Sequence, residues 1–132
     1  KLQHLVAELH RLYRECPALH QVDFSWEGFE WIDLHDWEQS IISFFRRGKD
    51  PNDIVACVFN FTPVPRHGYR IGVPLPGVYE EVLNTDADTF GGSHVVNAPA
   101  TNAESVPWMG RPYSVPLTVP PLGGVYLRRR MQ

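Results

Sequence analysis

The stretch SIISFFRR at Ser40–Arg47 and the stretch DIVACVFNFT at Asp53–Thr62 decide the fold of this 132-residue chain. Both stretches are rich in β-branched and aromatic residues, which favour strands. Between them lies GKDPN at Gly48–Asn52, a dense group of turn-forming residues. The two stretches are therefore predicted to form a β-hairpin.

Apolar residues point to both faces of the predicted hairpin. In its second strand Val55 and Cys57 alternate with Ala56 and Val58, so the side chains on both sides of the strand are apolar. A strand of this kind needs cover on both faces. We therefore expect one face to pack on a second sheet and the other to meet either an N-terminal helix or a further domain.

Shorter strand-like runs follow the hairpin. They lie at Tyr69–Val73, Val78–Asn84, Tyr113–Val119 and Val125–Arg130. Turn residues separate them, the chain carries 12 Pro and 10 Gly, and no helical periodicity occurs between the runs. About six or seven strands are thus expected, in an antiparallel Greek-key β-sandwich rather than a parallel α/β fold. Pro116 removes a ladder donor, which predicts that its strand lies at an edge.

The N-terminal segment has the clearest helical pattern of the sequence. Apolar residues recur at three- and four-residue steps at Leu2, Leu5, Val6, Leu9, Leu12, Tyr13 and Cys16. Pro17 ends the helix, because it disfavours helical geometry in the residue before it. The pattern already runs at Lys1 with no capping residue in front. We therefore expect the helix to belong to a larger body, against which its apolar row packs.

Composition and charge exclude several classes of function. Lys and Arg number 12 against 15 Asp and Glu, giving a formal net charge of −3. This balance predicts neither a nucleic-acid partner nor a membrane partner, because the chain has no broad basic field and no long apolar run. Cys16 and Cys57 are too few for a disulfide framework or a metal cluster and are interpreted as buried thiols. Without a signal peptide, the chain is predicted to be soluble and cytoplasmic.

Residues that could carry catalysis are few. Four carboxylates lie close together near aromatic residues, and paired carboxylates are what glycoside hydrolysis needs. They are Glu27, Glu30, Asp33 and Asp36. Nothing in their spacing separates an acid from a nucleophile, so we interpret them as solvated loop residues. The six histidines form no HExxH-type pair, and Gly91-Gly92-Ser93 lacks the lysine of a phosphate-binding loop. The sequence therefore predicts no catalytic residue, no metal site and no cofactor.

Two tryptophans are more informative. Trp31 lies in FEWID at 29–33, and Trp108 lies in PWMGRP at 107–112. Sugar rings stack on flat aromatic faces of this kind while their hydroxyls bond to polar neighbours. Trp31 and Trp108 are therefore candidate sugar-binding residues. Packing in the core or against another domain is the alternative for each, since large aromatics are usually mostly buried.

The order of several segments resembles the C-terminal region of bacterial 1,4-α-glucan (glycogen) branching enzymes, which belong to the amylase-type glycoside hydrolase family. The segments are LYRECPALH at 12–20, WEGFEWID at 26–33, SIISFFRRGKD at 40–50, VFNFTPVPRHGYRIGVPLPGVYEEVLNTD at 58–86, FGGS at 90–93, WMGRPYS at 108–114 and LTVPPLGGVYL at 117–127. The helix with PALH occurs in many amylase-family barrels. Asn60–Pro74, taken with LNTD at 83–86 and GGS at 91–93, is particular to branching enzymes.

The resemblance implies a function that the residues alone do not. Branching enzymes cleave an α-1,4-glucan, hold the chain covalently on an aspartate and transfer it to a 6-hydroxyl, with all catalytic acids in an amylase-type barrel. Residues 1–23 would be the last helix of that barrel plus a connector, and residues 24–132 the C-terminal all-β sandwich. This chain would then carry no catalytic residue. It would support the barrel of the same polypeptide and contact an α-glucan, a glycogen or amylose chain, through Trp31 and Trp108.

Two interpretations from other classes stay open at this point. A stand-alone carbohydrate-binding β-sandwich should bind glucan unaided and expose little apolar surface, which the uncapped helix argues against. A free glycosidase should release reducing sugar and lose that activity when Glu27 or Glu30 is replaced.

Overall fold

The computed structural model describes residues 2–19, 29–33, 40–87, 91–92 and 95–130. These ranges contain one α-helix, α1 (Leu2–Glu15), and a short 3-10 helix at Pro17–Leu19. They also contain eight strands: β1 (Phe29–Asp33), β2 (Ile41–Arg47), β3 (Ile54–Asn60), β4 (Arg66–Val73), β5 (Val78–Asn84), β6 (Ala100–Asn102), β7 (Tyr113–Val119) and β8 (Gly123–Arg129). The predicted hairpin and the four later runs all appear as strands.

The described strands form two antiparallel sheets. The larger sheet has six strands in the order β1-β2-β3-β8-β5-β6, and the smaller pairs β4 with β7. The β2–β3 hairpin runs in regular register from Ile41 opposite Asn60 to Arg47 opposite Ile54. The prediction of a mainly β antiparallel sandwich preceded by one helix is confirmed. The predicted boundary between residues 23 and 24 lies outside the described residues.

The main core lies between the two sheets. Ile54, Ala56 and Val58 of β3 face it together with Phe45 of β2, and all four are fully buried. The smaller sheet contributes Ile71, Val73, Val115, Leu117 and Val119. Burial of each such side chain stabilises the fold by about 1.5–3 kcal/mol relative to exposure. One apolar face of the hairpin is therefore covered by the second sheet, as predicted.

The other face of the hairpin meets α1. Val55 and Cys57 form a second buried cluster with Leu12, Cys16, Ala18 and Leu83. Either an N-terminal helix or a further domain was expected to cover this face, and in the structure the helix covers it. The apolar row of α1 is only partly used, since Leu12 is 2% exposed whereas Val6 is 43% and Tyr13 is 45% exposed.

Both cysteines are free and buried, as predicted. Burial raises the pKa of Cys57 to about 12 and also raises the pKa of Cys16. Near neutral pH both thiols are protonated, so they serve as small apolar side chains between α1 and the larger sheet.

Pro116 lies in an edge strand, as predicted, with β4 on one side of β7. On the other side, the amides of Ser114 and Thr118 donate to the Glu104 carbonyl at 3.0 Å and to Asn97 Oδ1 at 2.7 Å. By the alternation of a strand, the nitrogen of Pro116 faces this same outer side. The missing donor therefore costs no hydrogen bond to β4.

Candidate functional site

Trp31 lies at the margin of the larger sheet, in β1. Its backbone is opposite Phe44 of β2, and its ring meets the Phe44 ring edge-on with 6.0 Å between centroids. Phe44 packs on the α1 side of the sheet, whereas Ile32 points into the main core and is 4% exposed. The Trp31 ring therefore lies on the same side of the sheet as α1, with 42% of the residue exposed.

Aromatic rings continue from Trp31 across the larger sheet. Phe44 stacks on Phe59 of β3 at 5.9 Å, and Phe59 meets Tyr126 of β8 edge-on at 5.8 Å. Pairs with these geometries are worth about 0.5–1.5 kcal/mol each beyond the area they bury. The row contacts the Trp31 ring on one side, and 42% of the residue is exposed.

Trp108 opens a tight turn. The amide and carbonyl of Trp108 exchange hydrogen bonds of 3.0 and 2.9 Å with those of Arg111. The two residues between them have positive φ, 50° at Met109 and 74° at Gly110, which is a type I′ turn. Met109 packs against the main core, while Trp108 is 46% exposed. Met109 thus anchors the turn to the core, while the Trp108 side chain is partly exposed to solvent.

The Trp108 turn rests directly on β4. A Cβ added to Gly72 would overlap the Trp108 carbonyl oxygen and would lie only 2.9 Å from the carbonyl carbon. Gly72 is buried and lies opposite Ser114 in the ladder between β4 and β7. A glycine at this position lets another backbone approach closely, and here that backbone is the turn.

Arg111 joins the turn to β1. Its Nη2 donates to the Trp31 carbonyl at 2.8 Å, and its Nη1 donates to the carbonyls of Ile32 and Met109 at 3.0 Å each. The guanidinium carbon lies 5.0 Å from the centroid of the buried Phe45 ring, a cation–π contact. The backbones of the two candidate tryptophans are therefore joined through Arg111, which no sequence pattern singles out. Its partners are mostly backbone carbonyls distant in sequence, and such contacts leave no local pattern.

Two of the four candidate carboxylates are among the residues that the structure describes. Glu27 and Asp36 lie outside the described residues, and Glu30 and Asp33 lie in β1.

Elsewhere, Glu80 pairs with Arg130 at 3.2 Å, and the hydrogen bond from Arg130 lowers the pKa of this carboxyl. A carboxyl with a lowered pKa is ionised near neutral pH and is a poor proton donor.

The described residues contain neither a metal-ligating cluster nor a membrane-spanning helix. No group of three or more His, Cys, Asp or Glu among them is placed to hold a metal ion. None of their helices is long and apolar enough to cross a membrane.

Two mainly apolar grooves lie on the α1 side of the larger sheet. One, of about 350 Å³, runs between α1 and the sheet and is lined by Leu9, Tyr13, Phe44 and Tyr126 among others. The other, of about 380 Å³, lies at Phe59, Phe61, Thr85 and Leu122, where Phe61 and Leu122 are 60% and 69% exposed. Neither combines acidic and nucleophilic side chains, so both suit packing or stacking better than catalysis.

Comparison with known proteins identifies the domain type. The family described as "Alpha amylase, C-terminal all-beta domain" matches residues 31–130. The chain is 60% identical over 126 residues to the 1,4-alpha-glucan branching enzyme of Rubrobacter xylanophilus, covering 96% of this chain and 17% of the relative. Identity to the branching enzyme of Aquifex aeolicus is 50% over 127 residues, and to that of Dechloromonas aromatica 55% over 127 residues.

This chain spans only part of those relatives. It covers 20% of the length of the Aquifex and Dechloromonas enzymes and, in each comparison, 96% of its own length. The family match begins at Trp31 in β1 and includes every later strand of both sheets. The chain therefore belongs to the family of alpha-amylase C-terminal all-β domains.

Proposed function

We propose that this chain is the C-terminal β domain of a cytoplasmic 1,4-α-glucan branching enzyme, which transfers α-1,4-glucan segments to 6-hydroxyls and so forms α-1,6 branches. Relatives at 50–60% identity that carry this enzyme's name support the proposal. The domain holds no catalytic residue. It supports the catalytic barrel of the same polypeptide, with residues 1–23 as the last barrel helix and its connector and residues 24–132 as the sandwich.

The arrangement of α1 carries this proposal. Leu12 of the helix and Cys16 directly after it are buried against the larger sheet. Val6 and Tyr13, two helical turns apart on one stripe, are 43% and 45% exposed. A helix whose apolar row is buried against the sandwich on one flank and exposed on the other suits a position between two bodies. In the proposed enzyme, the exposed flank packs on the barrel.

The proposed activity can be tested directly. The reading frame that encodes this chain, expressed from its own start codon, is expected to yield a protein that branches amylose. Loss of iodine staining, together with new chains released by a debranching enzyme, would measure it. This chain alone should give neither signal, because the catalytic acids lie in the barrel. A reading frame beginning at Lys1, or reducing sugar released by this chain alone, would contradict the proposal.

Replacing Val6 with glutamate is expected to weaken the packing contact between the barrel and the sandwich. In the longer polypeptide Val6→Glu should lower stability by about 1.5–3 kcal/mol, since an apolar contact is lost and a charge is buried. In this chain alone the loss should stay below about 1 kcal/mol, because the residue is already 43% exposed. Ala7→Glu, at an exposed neighbour, is the matched control. Thermal unfolding measures both losses of stability. An equal loss from Val6→Glu in the longer polypeptide and in this chain alone would argue against the packing contact.

The domain also contacts α-glucan, a glycogen or amylose chain, through Trp31 and Trp108. Their half-exposed rings and their common link to Arg111 support this second role. The role would also fit a stand-alone carbohydrate-binding module, but the similarity to branching enzymes over 96% of the chain favours a part of such an enzyme. Titration with maltoheptaose, followed by tryptophan emission, tests the contact. No change at millimolar sugar would contradict it.

A further inference from the structure

We infer that the groove at Phe61 and Leu122 is a second surface on which the catalytic barrel of the proposed enzyme packs, in addition to the exposed flank of α1. This contact rests on the proposed function and adds to it two side chains that anchor the barrel. The partner that the groove fits is a folded protein surface with apolar side chains rather than a sugar chain.

Two loops at one end of the larger sheet form this groove. The amide of Leu122 donates to the Thr62 carbonyl at 2.8 Å. The buried Asn60 side chain joins the same two loops, because its Nδ2 donates to the Pro120 carbonyl at 3.1 Å. Phe61 and Leu122 both line the groove and are 60% and 69% exposed. The backbone thus holds two large apolar side chains at the same opening.

Leu122 contributes little to the stability of this chain by itself. Its φ is 46°, in the left-handed region that favours glycine, and most of its side chain is exposed. Burial within the chain therefore does not offset the strain of its backbone. Strained residues of this kind cluster at functional and binding positions. A surface packed over the groove would bury the Leu122 side chain and so offset the strain.

The groove lining favours apolar side chains over a sugar. None of the described residues that line it carries a charge. They are Phe59, Asn60, Phe61, Thr85, Leu122, Gly123 and Gly124. Both polar side chains are already engaged, since Asn60 bonds to the Pro120 carbonyl and the Thr62 amide, and Thr85 Oγ1 accepts from the Gly124 amide at 2.9 Å. Sugar hydroxyls would lose water here without gaining free partners, whereas apolar side chains gain from burial.

The groove adjoins the surface proposed for the barrel. Phe59 lines it, and the Phe59 ring stacks on Phe44 and meets Tyr126 edge-on. Phe44 and Tyr126 in turn line the groove between α1 and the sheet, together with Tyr13 of the exposed helix flank. These three aromatic rings therefore connect the two grooves on the same side of the larger sheet.

The proposed polypeptide contains a partner large enough to cover both grooves. This chain spans 17–20% of the length of its relatives, so most of such an enzyme lies outside it. Surfaces within one polypeptide meet at a high effective concentration, so even a modest apolar contact is formed. The barrel, held on the α1 flank, therefore packs on the adjoining groove as well.

The test measures how fast N-ethylmaleimide labels a cysteine placed in the groove. Leu122→Cys is made in this chain alone and in the longer polypeptide encoded by its reading frame, and the label is located by peptide mass mapping. Labelling should be at least about tenfold slower in the longer polypeptide, because the packed surface must open first. Val106→Cys is the matched control, since Val106 is 42% exposed and lies between Glu104 and Trp108 beside the smaller sheet. Its rate should change by less than about twofold.

A second variant should have opposite effects in the two proteins. In this chain alone, Leu122→Gly should raise the midpoint of thermal unfolding by about 2–4 °C, because glycine adopts a positive φ without strain. In the longer polypeptide the same change should lower the midpoint, because a side chain buried in the contact is lost. A rise of similar size in both proteins would overturn the inference.

The outcomes separate this contact from the function on which it rests. If the longer polypeptide branches amylose but Leu122→Cys is labelled equally fast in both proteins, the proposed function stands and the contact is wrong. If the reading frame encodes no barrel, both are wrong. Protection in this chain alone that grows with protein concentration would show that a second copy covers the groove, and protection by maltoheptaose would show a glucan there. Either result would overturn the contact with the barrel.

Discussion

Replacing Gly72 with alanine is expected to lift the Trp108 turn off β4 and to destabilise the folded chain by about 3 kcal/mol or more. The new methyl group would overlap the Trp108 carbonyl oxygen and would lie 2.9 Å from its carbonyl carbon and 3.2 Å from Met109 Cβ. The two nearest atoms are backbone, so no side-chain rotation relieves the overlap. Urea unfolding measures the loss of stability.

Gly68→Ala is the matched control for Gly72→Ala. Gly68 is in the same strand and has a positive φ of 64°, but a Cβ there would meet nothing within 4 Å. Gly68→Ala should therefore lower stability only through its left-handed backbone conformation, by about 1–2 kcal/mol. A loss in Gly72→Ala no larger than in Gly68→Ala would contradict the close contact between the turn and β4.

Replacing Asn60 with leucine is expected to have an effect of similar size, about 3–5 kcal/mol. Asn60 is 1% exposed. Its Nδ2 donates to the carbonyls of Val64 and Pro120 at 2.8 and 3.1 Å. Its Oδ1 accepts from the amide and hydroxyl of Thr62 at 3.0 and 2.8 Å. Leucine would fill the space but leave the Pro120 carbonyl and the Thr62 amide without these partners, while the Thr62 hydroxyl would keep its 3.3 Å bond to the Val64 carbonyl.

Two further variants sharpen the Asn60 prediction. Asn60→Asp keeps the shape and the acceptor for Thr62, but an ionised carboxylate would face the Val64 and Pro120 carbonyls. It should therefore be less stable at pH 7 than at pH 4, where a protonated carboxyl can donate one hydrogen bond. Asn102→Leu, at an exposed position of β6, should cost less than about 0.5 kcal/mol. Asn60→Leu and Asn102→Leu unfolding at the same urea concentration would contradict the role of the Asn60 amide.

Much of the fold follows from local sequence pattern. The β2–β3 hairpin is predictable because its apolar residues alternate on both faces and strong turn residues separate its strands. Its two covers follow from the same pattern, because an apolar face must be buried on each side. By contrast, β1 and β6 have 5 and 3 residues. Segments this short become strands by pairing with a neighbour in the folded sheet, so their own sequence carries little signal.

The candidate site was predictable only in part. Residue type and loop context select Trp31 and Trp108, because large aromatics among polar neighbours often contact ligands. The link between them could not be read from the sequence. Arg111 reaches backbone carbonyls that lie 79 and 80 positions away, and a residue of any type would supply such a carbonyl. A hydrogen bond from a side chain to a distant backbone carbonyl therefore leaves no pattern in the sequence and is seen only in the folded structure.

The outer edge of β7 also bears on how the protein behaves at high concentration. An open strand edge is a template onto which a strand of another molecule can add, and this leads to aggregation. The Asn97 amide copies the pairing of a strand there, donating to the Thr118 carbonyl at 2.9 Å while its oxygen accepts the Thr118 amide at 2.7 Å. Pro116 offers no donor to an incoming strand, and Glu104 occupies the position beside Ser114. The chain thus closes this edge against its own copies without adding another strand to the smaller sheet.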